Sequence, residues 1–304
     1  MSIIRIGTRC SPLAVVQAKF IAELLVKYHP GQNYELIKVT TSGDTDTDSS
    51  LQKIGGTGVF TKRIEQELLK KEIDVAVHSA KDLPSIMTEG LTIGAVPARA
   101  AIEDAWLSGD GKKLMEIEAD SVVGSGSPRR QFMLLNIRPD LKVRDIRGNI
   151  QTRIRKLEDG DYDALIMARA GLERMGLEGK ITEILSVRDF LPAPGQGALV
   201  VQIRSEDENA AALMKSLDNA NVHRCLDSER LLLSKLNAGC SAAVGGLAVI
   251  ESSELILKAV VLDKTGSNHL HVSGRSPAAA DDVKMVASLV SDLLSQGAQA
   301  YIEQ

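Results

Sequence analysis

The 304-residue sequence predicts an α/β protein with two similar lobes, each built on a mixed, mainly parallel sheet, followed by a small α+β domain with an antiparallel sheet. Three observations predict it. Over the first 100 residues, short β-branched runs alternate with stretches of helical period, which is the pattern of βαβ units. The opening of the chain nearly recurs: GTRCSP at 7–12 and GSGSP at 124–128 each follow a short apolar strand and end in Ser-Pro before a helix. Beyond Asn219 the alternation stops, and three strand-like segments precede one long amphipathic helix.

Ile3 to Ile6 reads as a strand ending at Gly7. Ser11 suits an N-cap and Pro12 the first turn of a helix over Leu13 to Tyr28, which His29-Pro30-Gly31 stops. Tyr34 to Val39 is a strand, Thr61 to Lys71 an amphipathic helix, and Ile73 to Val77 and Leu91 to Val96 are strands. In the second lobe Ser121 to Gly124 is a strand, and a helix runs from Ser127-Pro128 toward Asn136. Leu141 to Ile146 (strand), Ile150 to Leu157 (helix) and Ala164 to Met167 (strand) complete it. LPAPGQGA at 191–198, with two prolines and two glycines, marks a crossing or hinge. Leu199 to Ile203 then forms a strand that returns to the first lobe. A helix from Arg224 to Leu236, strands at Gly246 to Val249, Leu255 to Val261 and His269 to Val272, and a helix from Ala280 to Leu294 close the chain. The expected domains are therefore 1–98 with 197–216, 101–192, and 219–304.

Hydrophobic residues make up 44% and charged residues 25%, a globular balance. The net charge of -4 argues against a nucleic-acid binder. Cys10, Cys225 and Cys240 are odd in number and match no zinc spacing, so neither a disulfide framework nor a metal is expected. No signal-peptide pattern and no membrane-spanning apolar run are read, so the expected compartment is the cytoplasm.

Four constellations carry chemistry. Residues 129–156 hold Arg129, Arg130, Arg138, Lys142, Arg144, Arg147, Arg153, Arg155 and Lys156 against only Asp140 and Asp145. Arginine is favoured where carboxylates or phosphates are gripped in a bidentate fork. Arg129 and Arg130 fall in the first turn after Ser127-Pro128, where backbone N–H groups also favour an anion. Arg147 lies at a strand end, while Arg138, Lys142 and Lys156 read as a solvated face. The second is HSAKDLP at 78–84, just past a buried strand. Pro84 biases Leu83 toward an extended conformation and leaves Asp82 at a bend, for proton transfer or for capping the turn beside Lys81. His78 reads as structural. The third is the Gly-rich segment Gly43 to Gly58, a candidate lid that lacks the ending of a phosphate-binding P-loop. The fourth is Cys240 in AGCSAAVGG, where flanking small residues suit an accessible thiol or a structural cysteine in a Gly-rich turn.

Together these motifs resemble the porphobilinogen deaminase family. The resemblance runs in order through TRCSPLAVVQA at 8–18, FTKRIEQELL at 60–69, DVAVHSAKDLP at 74–84, SPRRQ at 127–131, VRDIRGNIQTRIRKL at 143–157, AGLERMGL at 170–177, LPAPGQGAL at 191–199 and AGC at 238–240. It implies two lobes like those of periplasmic binding proteins plus a third domain. It implies a transferase that condenses porphobilinogen molecules, four in all, into hydroxymethylbilane with release of ammonia. A dipyrromethane cofactor would be thioether-linked at Cys240, with Asp82 as the catalytic carboxylate. Lys81, Ser127, Arg129, Arg130 and Arg147 would bind cofactor, and Arg9, Ser11, Lys62, Arg147, Arg153 and Arg174 substrate. A monomer with no nucleic-acid or membrane partner is expected. Ala243 stands where the family usually has proline, and Ala80 where methionine is commoner. The alternatives are a non-catalytic two-lobed binder of anionic ligands and an NAD-dependent oxidoreductase. No G-x-G-x-x-G follows the first strand to support the latter.

Overall fold

The computed structural model describes residues 3–40, 61–239 and 242–303, and the chain forms two compact units. One comprises residues 1–100 and 197–224, the other residues 101–196 and 225–304.

The first unit begins with β1 (Ile4–Arg9) and α1 (Pro12–Tyr28), with the Ser11 hydroxyl accepting the Ala14 N–H as the N-cap. β1 does not stop at Gly7. That glycine sits inside the strand because a Cβ there would lie 2.2 Å from Cδ1 of Ile73. β2 (Tyr34–Val39), α2 (Lys62–Leu69), β3 (Val75–Ser79) and β4 (Leu91–Ala95) follow.

In the second unit the chain makes β5 (Asp104–Ser108), β6 (Val122–Gly124), α3 (Pro128–Ile137), β7 (Lys142–Arg144), α4 (Ile150–Glu158), β8 (Ala164–Ala168), α5 (Arg169–Arg174) and β9 (Glu183–Ile184). It then returns to the first unit as β10 (Leu199–Arg204) and α6 (Glu208–Met214). α7 (Ala220–Lys235) leads to β11 (Val244–Glu251), β12 (Glu254–Leu262), β13 (His269–Ser276), α8 (Asp282–Ser295) and α9 (Ala298–Ile302).

The two five-stranded sheets share one topology. The first has the order β2-β1-β3-β10-β4 and the second β7-β6-β8-β5-β9. In each, the first three strands are parallel and the fourth runs antiparallel to both its neighbours. That fourth strand, β10 or β5, is supplied after the chain has crossed from the other unit. The duplication visible in the Ser-Pro openings therefore extends to whole sheets.

The return crossing falls inside LPAPGQGA, where Gly195 and Gly197 take φ of 77° and 84°, conformations that favour glycine. Its second-unit part is held rather than loose. The fully buried Glu229 accepts N–H bonds from Gly195 (2.6 Å) and from Ala248 (2.8 Å). The antiparallel sheet β11-β12-β13 packs one face into the same core as Trp106, Leu134, Ile166 and Phe190, through Leu247, Val260 and Leu262. Its other face is covered by Leu232, Val286, Leu289 and Leu293 of α7 and α8. The first-unit core is built from aliphatic residues such as Ile6, Ile21, Leu25, Val77 and Val201, as expected from a chain with 3% aromatics. No helix among the described residues is long and apolar enough to cross a membrane.

Candidate active site

In the first unit, β1 and β3 are adjacent and parallel, so their C-terminal ends share one edge of the sheet. Arg9 closes β1 and Ser11 caps α1; the turn Ala80–Asp82 follows β3 directly. Gln17 of α1 donates to the Ser79 hydroxyl at 2.9 Å and ties the two segments together. Leu83 is buried and extended (φ -81°, ψ 130°), as the following Pro84 requires. Anchored by Leu83, the turn leaves Lys81 and Asp82 exposed. Lys62 is the exposed first residue of α2.

His78, which the sequence reads as structural, has a specific environment. It is buried, and its Nε2 lies 3.0 Å from Oε1 of Gln202. Burial is the largest influence on the ring and holds its pKa down to about 4, against the opposing pull of Glu65, Gln202 and Asp82.

In the second unit the strand ends of β6, β7 and β8 also share one edge. Ser127, Arg129 and Arg130 follow β6, Arg147 and Arg153 follow β7, and Arg174 ends the helix after β8. The guanidinium of Arg153 bends back to donate to the Gly148 carbonyl at 2.8 Å. Arg174 is half-buried, and desolvation pulls its pKa down. Ser127 has the extended backbone of an N-cap but makes no side-chain cap.

Arg129 and Arg130 are 3% and 7% exposed, and both meet Asp104, the fully buried first residue of β5. The pairs measure 2.8 Å (Arg129 Nη1 to Asp104 Oδ2) and 2.7 Å (Arg130 Nη2 to Asp104 Oδ1). Gln196 of the crossing segment donates to the same carboxylate at 2.9 Å and accepts from Arg130 at 3.2 Å. Arg129 also donates to the Leu191 carbonyl at 2.8 Å. Burial alone would push the Asp104 carboxyl up; the charges of Arg129 and then Arg130, with their hydrogen bonds, hold it well below the usual carboxylate range. Asp104 carries one negative charge against two positive ones, so this buried cluster keeps a net positive charge.

Sequence reasoning missed Asp104, Gln196 and Glu229. The signal for Asp104 was an acidic residue directly before the apolar Ala105-Trp106-Leu107. Arg138, read as part of a solvated face, instead donates to the carbonyls of Leu114 (2.8 Å) and Ile117 (3.0 Å) and pairs with Asp140. Lys142 pairs with Asp120 on the surface, as such a face allows. Cys240 and the Gly43–Gly58 segment lie outside the described residues. On either side of Cys240, Ala238 and Ala242 pack against the core under α7 and α8, and Ala243 is buried, its carbonyl accepting the Leu262 N–H at 3.0 Å.

Residues 4–212 match the description "Porphobilinogen deaminase, dipyromethane cofactor binding domain", and residues 223–294 match "Porphobilinogen deaminase, C-terminal domain". The chain belongs to the porphobilinogen deaminase family. The porphobilinogen deaminase of Brevibacillus brevis is 41% identical over 297 residues, covering 97% of this chain and 94% of that one. That of Acidithiobacillus ferrooxidans is 40% identical over 300 residues, covering 99% and 97%. Among solved structures, the Bordetella pertussis BvgS VFT2 domain is similar at 14% identity and a TM-score of 0.44, covering 71% of this chain and 86% of that one. The Escherichia coli periplasmic aliphatic sulphonate binding protein SsuA is similar at 15% identity and a TM-score of 0.42, covering 78% and 71%.

Proposed function

We propose that Cys240 carries the dipyrromethane cofactor of this transferase and that Asp82 is its catalytic carboxylate. The family condenses four porphobilinogen molecules head to tail into hydroxymethylbilane with release of ammonia, in tetrapyrrole biosynthesis. When bound, the cofactor supplies the pyrrole carbon to which the first substrate ring is joined and a fixed anchor for the growing chain.

The observation that carries this reading is the buried, net-positive cluster of Arg129, Arg130 and Asp104. A buried positive charge is costly unless an anion complements it. Each pyrrole ring brings an acetate and a propionate, so the cofactor supplies carboxylates that fit this need. Arg130 and Arg129 would hold them, with Lys81, Ser127 and Arg147. Asp104 keeps both guanidinium forks oriented, so little freedom is lost on binding. Arg9, Ser11, Lys62, Arg153 and Arg174, with Arg147, would bind substrate carboxylates.

Asp82 suits its role because it is exposed on the turn that directly follows β3. It can receive a hydrogen bond from the ammonium of porphobilinogen as ammonia departs, and it offsets the positive charge left on the ring. Holding the partner covalently makes each addition effectively unimolecular. On the same reading the enzyme is a monomer of the cytoplasm, where a reducing environment keeps Cys240 a free thiol for thioether formation. Sedimentation at micromolar concentration checks the monomer.

Replacing Cys240→Ala is expected to leave the circular dichroism spectrum unchanged and to abolish turnover. Turnover within twofold of wild type would remove Cys240 from the anchor role.

A further inference from the structure

Beneath the Asp82 turn lies a buried polar chain that the reaction as described does not use. Four segments of the first unit contribute to it: Glu65 from α2, Thr88 from the loop before β4, Gln202 from β10 and His78 from β3. Glu65, Gln202 and His78 are 4%, 0% and 5% exposed. The Thr88 hydroxyl donates to Oε2 of Glu65 at 2.9 Å, and Nε2 of Gln202 donates to Oε1 of Glu65 at 2.9 Å. Oε1 of Gln202 then faces Nε2 of His78 at 3.0 Å.

We propose that Glu65 is a positioning residue for the reaction: acting through Gln202, its carboxylate locks His78 in one tautomer and one orientation and thereby sets the turn that carries Lys81 and Asp82. The proposal rests on the reading of Asp82 as the catalytic carboxylate.

The direction of the chain follows from donor and acceptor chemistry. A carboxylate only accepts, so Gln202 must turn its NH2 toward Glu65 and its oxygen toward His78. The imidazole must then donate from Nε2, which leaves Nδ1 without a proton in the neutral ring. The charged groups that act on this ring are Glu65, Asp82 and Arg9. An imidazolium at His78 would place a positive charge within electrostatic reach of Asp82 and weaken the negative charge the departing ammonium needs. Burial together with the ordered chain keeps the ring neutral, so His78 adds no positive charge there.

The chain also joins two pieces of the candidate site. α2 begins at Lys62, one turn before Glu65, while His78 stands four residues before Asp82 in the segment that becomes the turn. β10 completes the link by pairing with β3 on the strand that bears His78. A core meant only for stability would be served as well by aliphatic residues of the same volume, without the cost of burying a carboxylate.

The test uses the full-length enzyme with 15N-labelled histidine, which gives five ring systems to assign. In the wild type, the two-bond 1H–15N spectrum is expected to show His78 protonated at Nε2 only. Glu65→Ala and Gln202→Leu are expected to mix the tautomers and to lower kcat at least tenfold, with KM changed less than twofold. Glu65→Gln keeps an acceptor for Gln202 and is expected to restore the single tautomer and most of kcat. Should Glu65→Ala fold poorly, Thr88→Val releases one carboxylate oxygen and is expected to lower kcat three- to fivefold. Unchanged kcat in Glu65→Ala or Thr88→Val, or equal losses in Glu65→Ala and Glu65→Gln, would overturn the proposal. The tautomer is read without substrate and does not depend on Asp82. If Asp82→Asn keeps the full rate, the catalytic assignment falls; if Asp82→Asn loses the rate while Glu65→Ala does not, only the positioning role falls.

Discussion

Replacing Asp104→Asn removes one negative charge from between two buried guanidinium groups while keeping the side chain's shape. Asp104 is fully buried, its arginine contacts are 2.7 and 2.8 Å, and Gln196 donates to it as well. Removing one partner of a buried ion pair costs about 3–5 kcal/mol, because the remaining charge is left uncompensated. Here two arginines lose their shared partner, so the upper part of that range, about 4–5 kcal/mol, is expected. Against a total stability of roughly 5–15 kcal/mol this is a large fraction, and for cooperative unfolding of a chain this long it corresponds to a drop in Tm of about 6–8 °C. The assay is urea unfolding of the apoprotein at pH 7, followed by far-ultraviolet circular dichroism. The sign with pH is fixed as well. The Asp104 carboxyl is held well below its unfolded value, so its contribution is complete above about pH 4 and declines as the pH falls further toward the folded value. The wild type should therefore lose stability below pH 4 more steeply than the variant. A variant less than 1 kcal/mol weaker than wild type, with an unchanged acid slope, would refute the reasoning.

Other consequences follow from the same structure. Asp82→Asn is expected to keep the bound cofactor and lower kcat at least a hundredfold, measured as porphobilinogen consumption; an unchanged rate would return Asp82 to a turn residue. His78 is buried neutral with its pKa lowered from 6.5 to about 4, so the unfolded chain takes up a proton first as the pH falls. Its contribution is whole above about pH 6.5 and shrinks by about 3 kcal/mol as the pH falls to 4. Urea midpoints at pH 7 and pH 4.5 should differ more in wild type than in His78→Gln; equal shifts would contradict the buried, neutral ring.

The parallel strands and long helices were legible because each has a single period and clear stop signals. Ser11-Pro12 and Ser127-Pro128 marked both helix starts, and Pro84 forecast the extended Leu83. The fourth strand of the second sheet was not legible. β5 opens with an acid, and a buried carboxylate is recognised only once its two arginines are brought to it from 25 and 26 positions later. Gly7 looked like a strand end because the side chain that excludes a Cβ there, Ile73, is distant in sequence. The two-residue β9 and the short helices α5, α6 and α9 carry too few residues to show a period. The residue types of the candidate site were readable from motifs, but the pairings that orient them were not: Asp104 with the arginines, and Glu65 with Gln202 and His78. Those are long-range and set by sheet topology.

Mass spectrometry of the enzyme purified from cells, intact and after proteolysis, bears on the claim of a covalent anchor most directly. The account predicts an added mass equal to two linked pyrrole units, located on the peptide that contains Cys240. An unmodified Cys240 peptide from fully active enzyme would contradict it.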